Sequence, residues 1–382
     1  MLFTFPPDAL SCNWVNQKVI EALNAGMDAF DGGQEPPAWP ASLPADKRDV
    51  LRRRTGLQPK LEAFWRSYSN LSLADRACLR DAIARQNNLP MVYSDIALPC
   101  PCLDDIPAVM QASVKALSEY LFGQLGVIKE GSKVLRDIQF ETCQNQGIRI
   151  CPYCGLDYFQ PVGTKRNALD HLMPISKYPF VSADFKNLPP TCHSCNSLYK
   201  LDQDILFDEA GARRPCSDPY AGPVYRLSLN GSVFGEGNEV QGFIMPRWQI
   251  HFDGPTAQQA ETWDAVYEIK SRLASTLDAD FLSWVKHFAL WFVKENGTGK
   301  TSDEVAETLT RYIENVIQDN FEDRAFLKAE AFRFLNRSCD DPINGNEIKE
   351  WLWGFVVSAA PITRLRRNSK VGDRLSGFVC GR

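Results

Sequence analysis

The chain has 382 residues, 44% hydrophobic and 23% charged, with a net charge of −5. This is an ordinary composition for a globular protein and leaves room for two or three domains, or for one large domain with insertions. It excludes a dedicated nucleic-acid coat, which would be basic overall, and no apolar run is long enough to cross a bilayer.

The N-terminus, MLFTFPPDAL, has no basic residues and meets Pro6 and Pro7 at once. No secretory leader is expected, and a cytoplasmic protein without membrane partners is. Apolar residues then recur at helical spacing over 9–30, 47–54, 60–68, 74–86 and 106–125. A loop rich in Pro and Gly spans 32–44, and a second breaker region, with PCPCLDDIP, spans 98–107. A further helix over about 132–145 leads into the middle of the chain. The region 1–146 is therefore expected to be helical.

From Gly147 to about Gln203 the sequence is dense in Cys, Pro, Asn and His. Strand-like runs follow at 224–229 and 242–252, separated by SLNGSVFGEGNE. A long helix is expected over 257–294, with Trp263, Val266, Ile269, Leu273, Leu277, Phe281, Val285 and Phe288 as its buried stripe. Thr301 to Glu304 forms a capping box for the next helix, and two more fit 323–335 and 346–358. The aromatic stripes read best as core; a groove for a partner protein is the second reading.

Of the twelve cysteines, four form two C-x-x-C pairs, Cys151/Cys154 and Cys192/Cys195. In a chain without a leader this pattern favours metal over disulfides. Four thiolates match a tetrahedral Zn2+ site with no position left for substrate, so the zinc is expected to be structural. Between the pairs lies Leu169-Asp170-His171-Leu172. If this is a strand, Asp170 and His171 point to opposite faces, although at a strand end or bulge both reach one site. Asn187-Leu188 follows, then Pro189, Pro190 and a helix start. On that helix Asn196 and Lys200 share a face. The four histidines are 171, 193, 251 and 287; His193 sits inside the second knuckle, and the last two have no motif around them.

The order Asp-His-x-x-Pro, Asn-Leu, Cys-x-x-Cys-Asn and Lys over about fifty residues resembles the HNH endonuclease family, in its zinc-knuckle ββα-metal branch. The resemblance implies an α+β protein in which mainly helical lobes surround a zinc-stapled module over 147–222, with a short β segment and helices over 223–382. It implies a metal-dependent endonuclease. His171 would be the general base, Asp170 and Asn196 the ligands of a catalytic ion, Asn187 the residue that ties down the loop and orients His171, and Lys200 a phosphate contact. The third signature position is Asn196 rather than His. Two oxygen ligands without an imidazole favour Mg2+ or Mn2+.

Local charge agrees with a nucleic-acid partner. Residues 149–200 carry six basic side chains against three acidic ones, and 364–382 six against one. Lys165, Arg166 and Lys177 could flank a substrate backbone, or could be no more than solvated turn residues. DNA is expected before RNA. Free-standing modules of this kind suggest an anti-phage effector, comparable to Septu-like or retron-associated systems, with an ATPase subunit as partner. An RNA (tRNA) endonuclease with the same site and a non-catalytic zinc adapter are the rival expectations.

Overall fold

The computed structural model describes residues 3–164, 167–222, 225–240, 242–318 and 322–359. Lys165, Arg166 and the basic stretch 364–382 lie outside the described residues. The fold is mixed, largely helical with small antiparallel sheets. No helix among the described residues is long and apolar enough to cross a membrane. The chain divides into two units. One takes 1–225 with 254–269; the other takes 226–253 with 270–382.

In the first unit the helices Val15–Asp31, Leu57–Ser69, Leu73–Gln86, Ala108–Gln124 and Leu135–Asn145 match the expected periodic segments within a few residues. Local chemistry explains several ends. The Ser72 hydroxyl accepts a hydrogen bond from Asp75 N at 3.1 Å and caps the third of these helices. Gly26 is required for packing: a Cβ there would stand 2.3 Å from the Trp65 indole. The core joins Val19, Leu23, Met27, Leu61, Phe64, Leu117 and Leu121 to Leu169, Phe180, Phe185 and Leu188. The helical region and the segment holding the Asp-His pair therefore share one interior, and burial of these side chains fixes where that pair sits.

The expected single helix over 257–294 is two helices, Ala257–Tyr267 and Ile269–Asn296. Glu268 separates them at φ 51°. This left-handed residue ends the first helix and leaves no Gly or Pro signal in the sequence.

In the second unit, Arg226–Ser228 pairs antiparallel with His251–Asp253, with Leu227 opposite Phe252. Glu239–Val240 pairs with Phe243–Ile244. The two strand-like runs thus pair with each other in the first ladder, while the second takes one strand, Glu239–Val240, from the segment between them. Thr301 and Glu304 make the expected capping box, but the helix it opens is only Ser302–Ala306. Helices Ala325–Cys339 and 345–359 complete the unit. Phe288, Tyr312 and Phe332 form part of its core, with the Tyr312 and Phe332 rings 5.0 Å apart.

Candidate metal centre and adjoining polar site

The two C-x-x-C turns are built alike. Gly155 N donates to Cys151 O at 2.9 Å and Asn196 N to Cys192 O at 3.0 Å. Backbone amides also point at sulfur: Leu156 N to Cys154 Sγ at 3.4 Å and Cys195 N to Cys192 Sγ at 3.3 Å. Gly155 has φ +65°, which a side chain would resist, and so lets the first turn close. The four sulfurs lie within 4.8 Å of one another and all four residues are buried. Cys151 and Cys195 Sγ are 4.0 Å apart, Cys154 and Cys192 Sγ 3.9 Å. Zn–S bonds of ~2.3 Å place tetrahedral thiolates ~3.8 Å apart, so the geometry fits zinc. Burial holds the Cys151 thiol well above its ordinary pKa. A bound cation would reverse this, because only thiolates ligate. The cluster can therefore hold a structural metal such as zinc.

Between the knuckles the chain forms a hairpin that the prolines disguise. Thr191 N donates to Ala168 O at 3.1 Å, Asp170 N to Pro189 O at 3.1 Å, and Leu172 N to Asn187 O at 3.0 Å. These bonds keep one antiparallel register. Pro189 has no N–H to return to Asp170, so that pair keeps one hydrogen bond instead of two, and Leu169–Pro190 is the regular bridge of the hairpin. Residues Cys195–Lys200 then form a single wide helical turn.

Alternation along 168–172 sends Asp170 and His171 to different surroundings. Asp170 is 3% exposed. Its Oδ1 lies 3.2 Å from Lys200 Nζ, and its Oδ2 accepts a 2.9 Å hydrogen bond from Tyr267 OH. Burial raises the Asp170 carboxyl above its usual value, against the opposing pull of Lys200 and Tyr267. Lys200 is only 1% exposed. Its ammonium faces a carboxylate, and a phosphate contact would require it to leave that partner.

His171 is half-buried. Its ring lies 4.5 Å from that of Phe122. Nε2 is 3.0 Å from Ser182 O. A carbonyl only accepts, so Nε2 carries the proton and Nδ1 keeps a lone pair in the neutral ring. Burial lowers the His171 pKa to about 4, partly opposed by the bond to Ser182.

Asn187 is 0% exposed. Its Oδ1 accepts from Met173 N at 2.8 Å, and its Nδ2 donates to Met173 O at 3.1 Å and Val181 O at 3.4 Å. The side chain thus ties the segment after His171 to the turn that carries Ser182. Residues in and just before the N-terminal helices hold the same region. Asn16 Nδ2 donates to Phe180 O at 3.0 Å, Asn13 Oδ1 accepts from Phe185 N at 2.8 Å, and Ser182 Oγ donates to Ser118 O at 3.1 Å. Asn196 is half-buried and donates to Ser197 Oγ at 3.2 Å. Lys177 has a side chain 52% exposed, its Nζ 3.4 Å from Asp204 Oδ2.

Tyr267 is the residue that sequence reasoning did not connect with the site. It stands 97 positions from its partner Asp170. Its ring stacks on Tyr153 of the first knuckle at 5.0 Å and 9°, and burial keeps its phenol protonated. In the sequence it fell within the helix expected over 257–294 but not on the apolar stripe read there.

The expected Mg2+ or Mn2+ site does not fit Asp170 as the residues stand. Both carboxylate oxygens are engaged, one of them by a cation. No family model, curated protein or solved structure matches the chain.

Proposed function

We propose that the segment 147–222 is an HNH-type endonuclease module that hydrolyses phosphodiester bonds of DNA, with His171 as general base. The carrying observation is the Nε2–Ser182 contact of 3.0 Å, which leaves the Nδ1 lone pair free in a ring that stays neutral down to about pH 4. A water against Nδ1 would pass its proton to the ring as it attacks phosphorus. Asn187, through Met173 and Val181, keeps His171 and Ser182 in register. The hairpin and the turn after it, stapled at both ends by the four-cysteine cluster, support a ββα-metal arrangement.

The proposal includes a divalent ion, Mg2+ or Mn2+, near Asp170 and Asn196, which Asp170 could join only after parting from Lys200. A role as effector in anti-phage defence, with an ATPase partner, extends the same reading. The test is to incubate the purified chain with supercoiled plasmid and with total tRNA, each with Mg2+ or Mn2+. Metal-dependent plasmid nicking is expected. Cleavage of tRNA alone would move the reading to RNA, and cleavage of neither would leave a zinc-stabilised adapter.

A further inference from the structure

We infer that Arg136, with the cleft it borders, is a subsite for a backbone phosphate of the substrate strand, a few nucleotides from the phosphate attacked at His171. The inference rests on the endonuclease reading and deepens it. The cleft has a volume of about 810 Å3, and its lining includes Gly126, Arg136, Glu141, Val162, Thr164 and Ala168. That is the size of a ligand site rather than of a packing gap. Arg136 lies in the first turn of helix Leu135–Asn145 and is half-buried. Its guanidinium lies across Gly126, where a Cβ would stand 2.2 Å from Nη2. This is the C-terminal end of helix Ala108–Gln124, where a basic side chain ordinarily caps free carbonyls. Here backbone amides take those carbonyls: Leu125 N donates to Phe122 O, Gly126 N to Gly123 O, Val127 N and Ile128 N to Gln124 O, and Arg136 N to Leu125 O.

The guanidinium therefore keeps its donors. Of the charged side chains that line the cleft, Glu141 is paired with Lys133 and Asp137 is not free. The Arg136 side chain has no hydrogen bond or ion pair among the described residues. A phosphate matches such a fork with two parallel N–H···O bonds. The place of the cleft selects the source of that phosphate. Gly126 follows Phe122 by about one helical turn, ~6 Å, and the Phe122 ring is 4.5 Å from that of His171. Ala168 precedes His171 by three residues of extended chain, ~10 Å. A strand with one phosphate at His171 thus brings another to Arg136, about three nucleotides away. A free anion gains nothing from this spacing, whereas a polynucleotide does.

The test is binding of a fluorescein-labelled DNA duplex to the full-length, zinc-loaded chain without Mg2+ or Mn2+, read by fluorescence anisotropy over a salt series. Arg136→Gln is expected to weaken binding about tenfold and to lower the slope against log salt by about one. Gly126→Ala keeps the charge but pushes the guanidinium off its seat, and should weaken binding several-fold; it decides the matter if Arg136→Gln does not fold. Arg66→Gln removes an exposed arginine elsewhere, controls for net charge, and should bind as wild type does. Inorganic phosphate in place of chloride, at equal ionic strength, should not displace the duplex. Unchanged binding in the folded Arg136 and Gly126 variants, an equal loss in Arg66→Gln, displacement by inorganic phosphate, or no duplex binding by wild type overturns the inference. Plasmid nicking by Arg136→Gln at the wild-type KM loses the subsite and keeps the endonuclease. Duplex binding that needs Arg136, in a chain that nicks nothing, keeps the subsite and loses the endonuclease reading.

Discussion

Asn187→Ala tests the link between the hairpin and the turn behind His171. The substitution removes the acceptor of Met173 N, 2.8 Å away, and the donor to Met173 O, 3.1 Å away. Met173 is fully buried, so water does not replace these partners. Two bonds at about 1 kcal/mol each, plus about 1–3 kcal/mol for the stranded amide, give a loss of about 3–5 kcal/mol. For a unit of this size that lowers Tm by roughly 10 °C. The half-buried Asn196, whose amide donates to the neighbouring Ser197, is the internal control: Asn196→Ala should cost within about 0.5 kcal/mol. Thermal melts and urea midpoints of the two variants make the comparison, and hydrogen exchange at Met173 N reads the lost bond directly. An Asn187→Ala protein as stable as Asn196→Ala would refute the assignment of Asn187 as the tie.

Other expectations follow from the same geometry. Native mass spectrometry should find one zinc per chain, and Cys154→Ser or strong chelation should remove it and unfold the surrounding segment, since the cluster joins two knuckles whose facing cysteines are 38 and 44 positions apart. The His171 imidazole should show no titration between pH 8 and 5 by NMR. Its folded pKa of about 4 lies below the unfolded value, so its contribution to stability is complete above about pH 6.5 and declines as pH falls through 4. A His171 titration near 6.5 in the folded chain would contradict its burial. Tyr267→Phe deletes a hydrogen bond to a charged acceptor and should cost about 1.5–3 kcal/mol, with zinc content unchanged.

The helices of the N-terminal region were legible because their apolar periodicity coincides with the face they bury. Thr301 also marked a helix start by ordinary capping chemistry, whereas the Ser72 cap was found only in the structure. The four-cysteine cluster was legible for a different reason: paired C-x-x-C turns leave few other uses for four thiols. The hairpin at 168–172 and 187–191 was harder to see, because Pro189 and Pro190 break the pattern by which strands are recognised while the Pro189 carbonyl still accepts from Asp170 N. The break at Glu268 had no signal, since its left-handed backbone falls on a residue type that rarely adopts it. Lys200 shows the limit most sharply. Its helical spacing from Asn196 was visible, but spacing does not say which face turns inward. Only the fold shows the ammonium set against Asp170 and Tyr267 completing the contact.

The most direct test of the account is a single comparison on supercoiled plasmid in Mn2+ or Mg2+: wild type against His171→Ala, both shown to be folded and zinc-loaded. The account predicts nicking by wild type and a loss of at least a hundredfold in the variant, the scale of a missing general base. Equal cleavage by His171→Ala would contradict it.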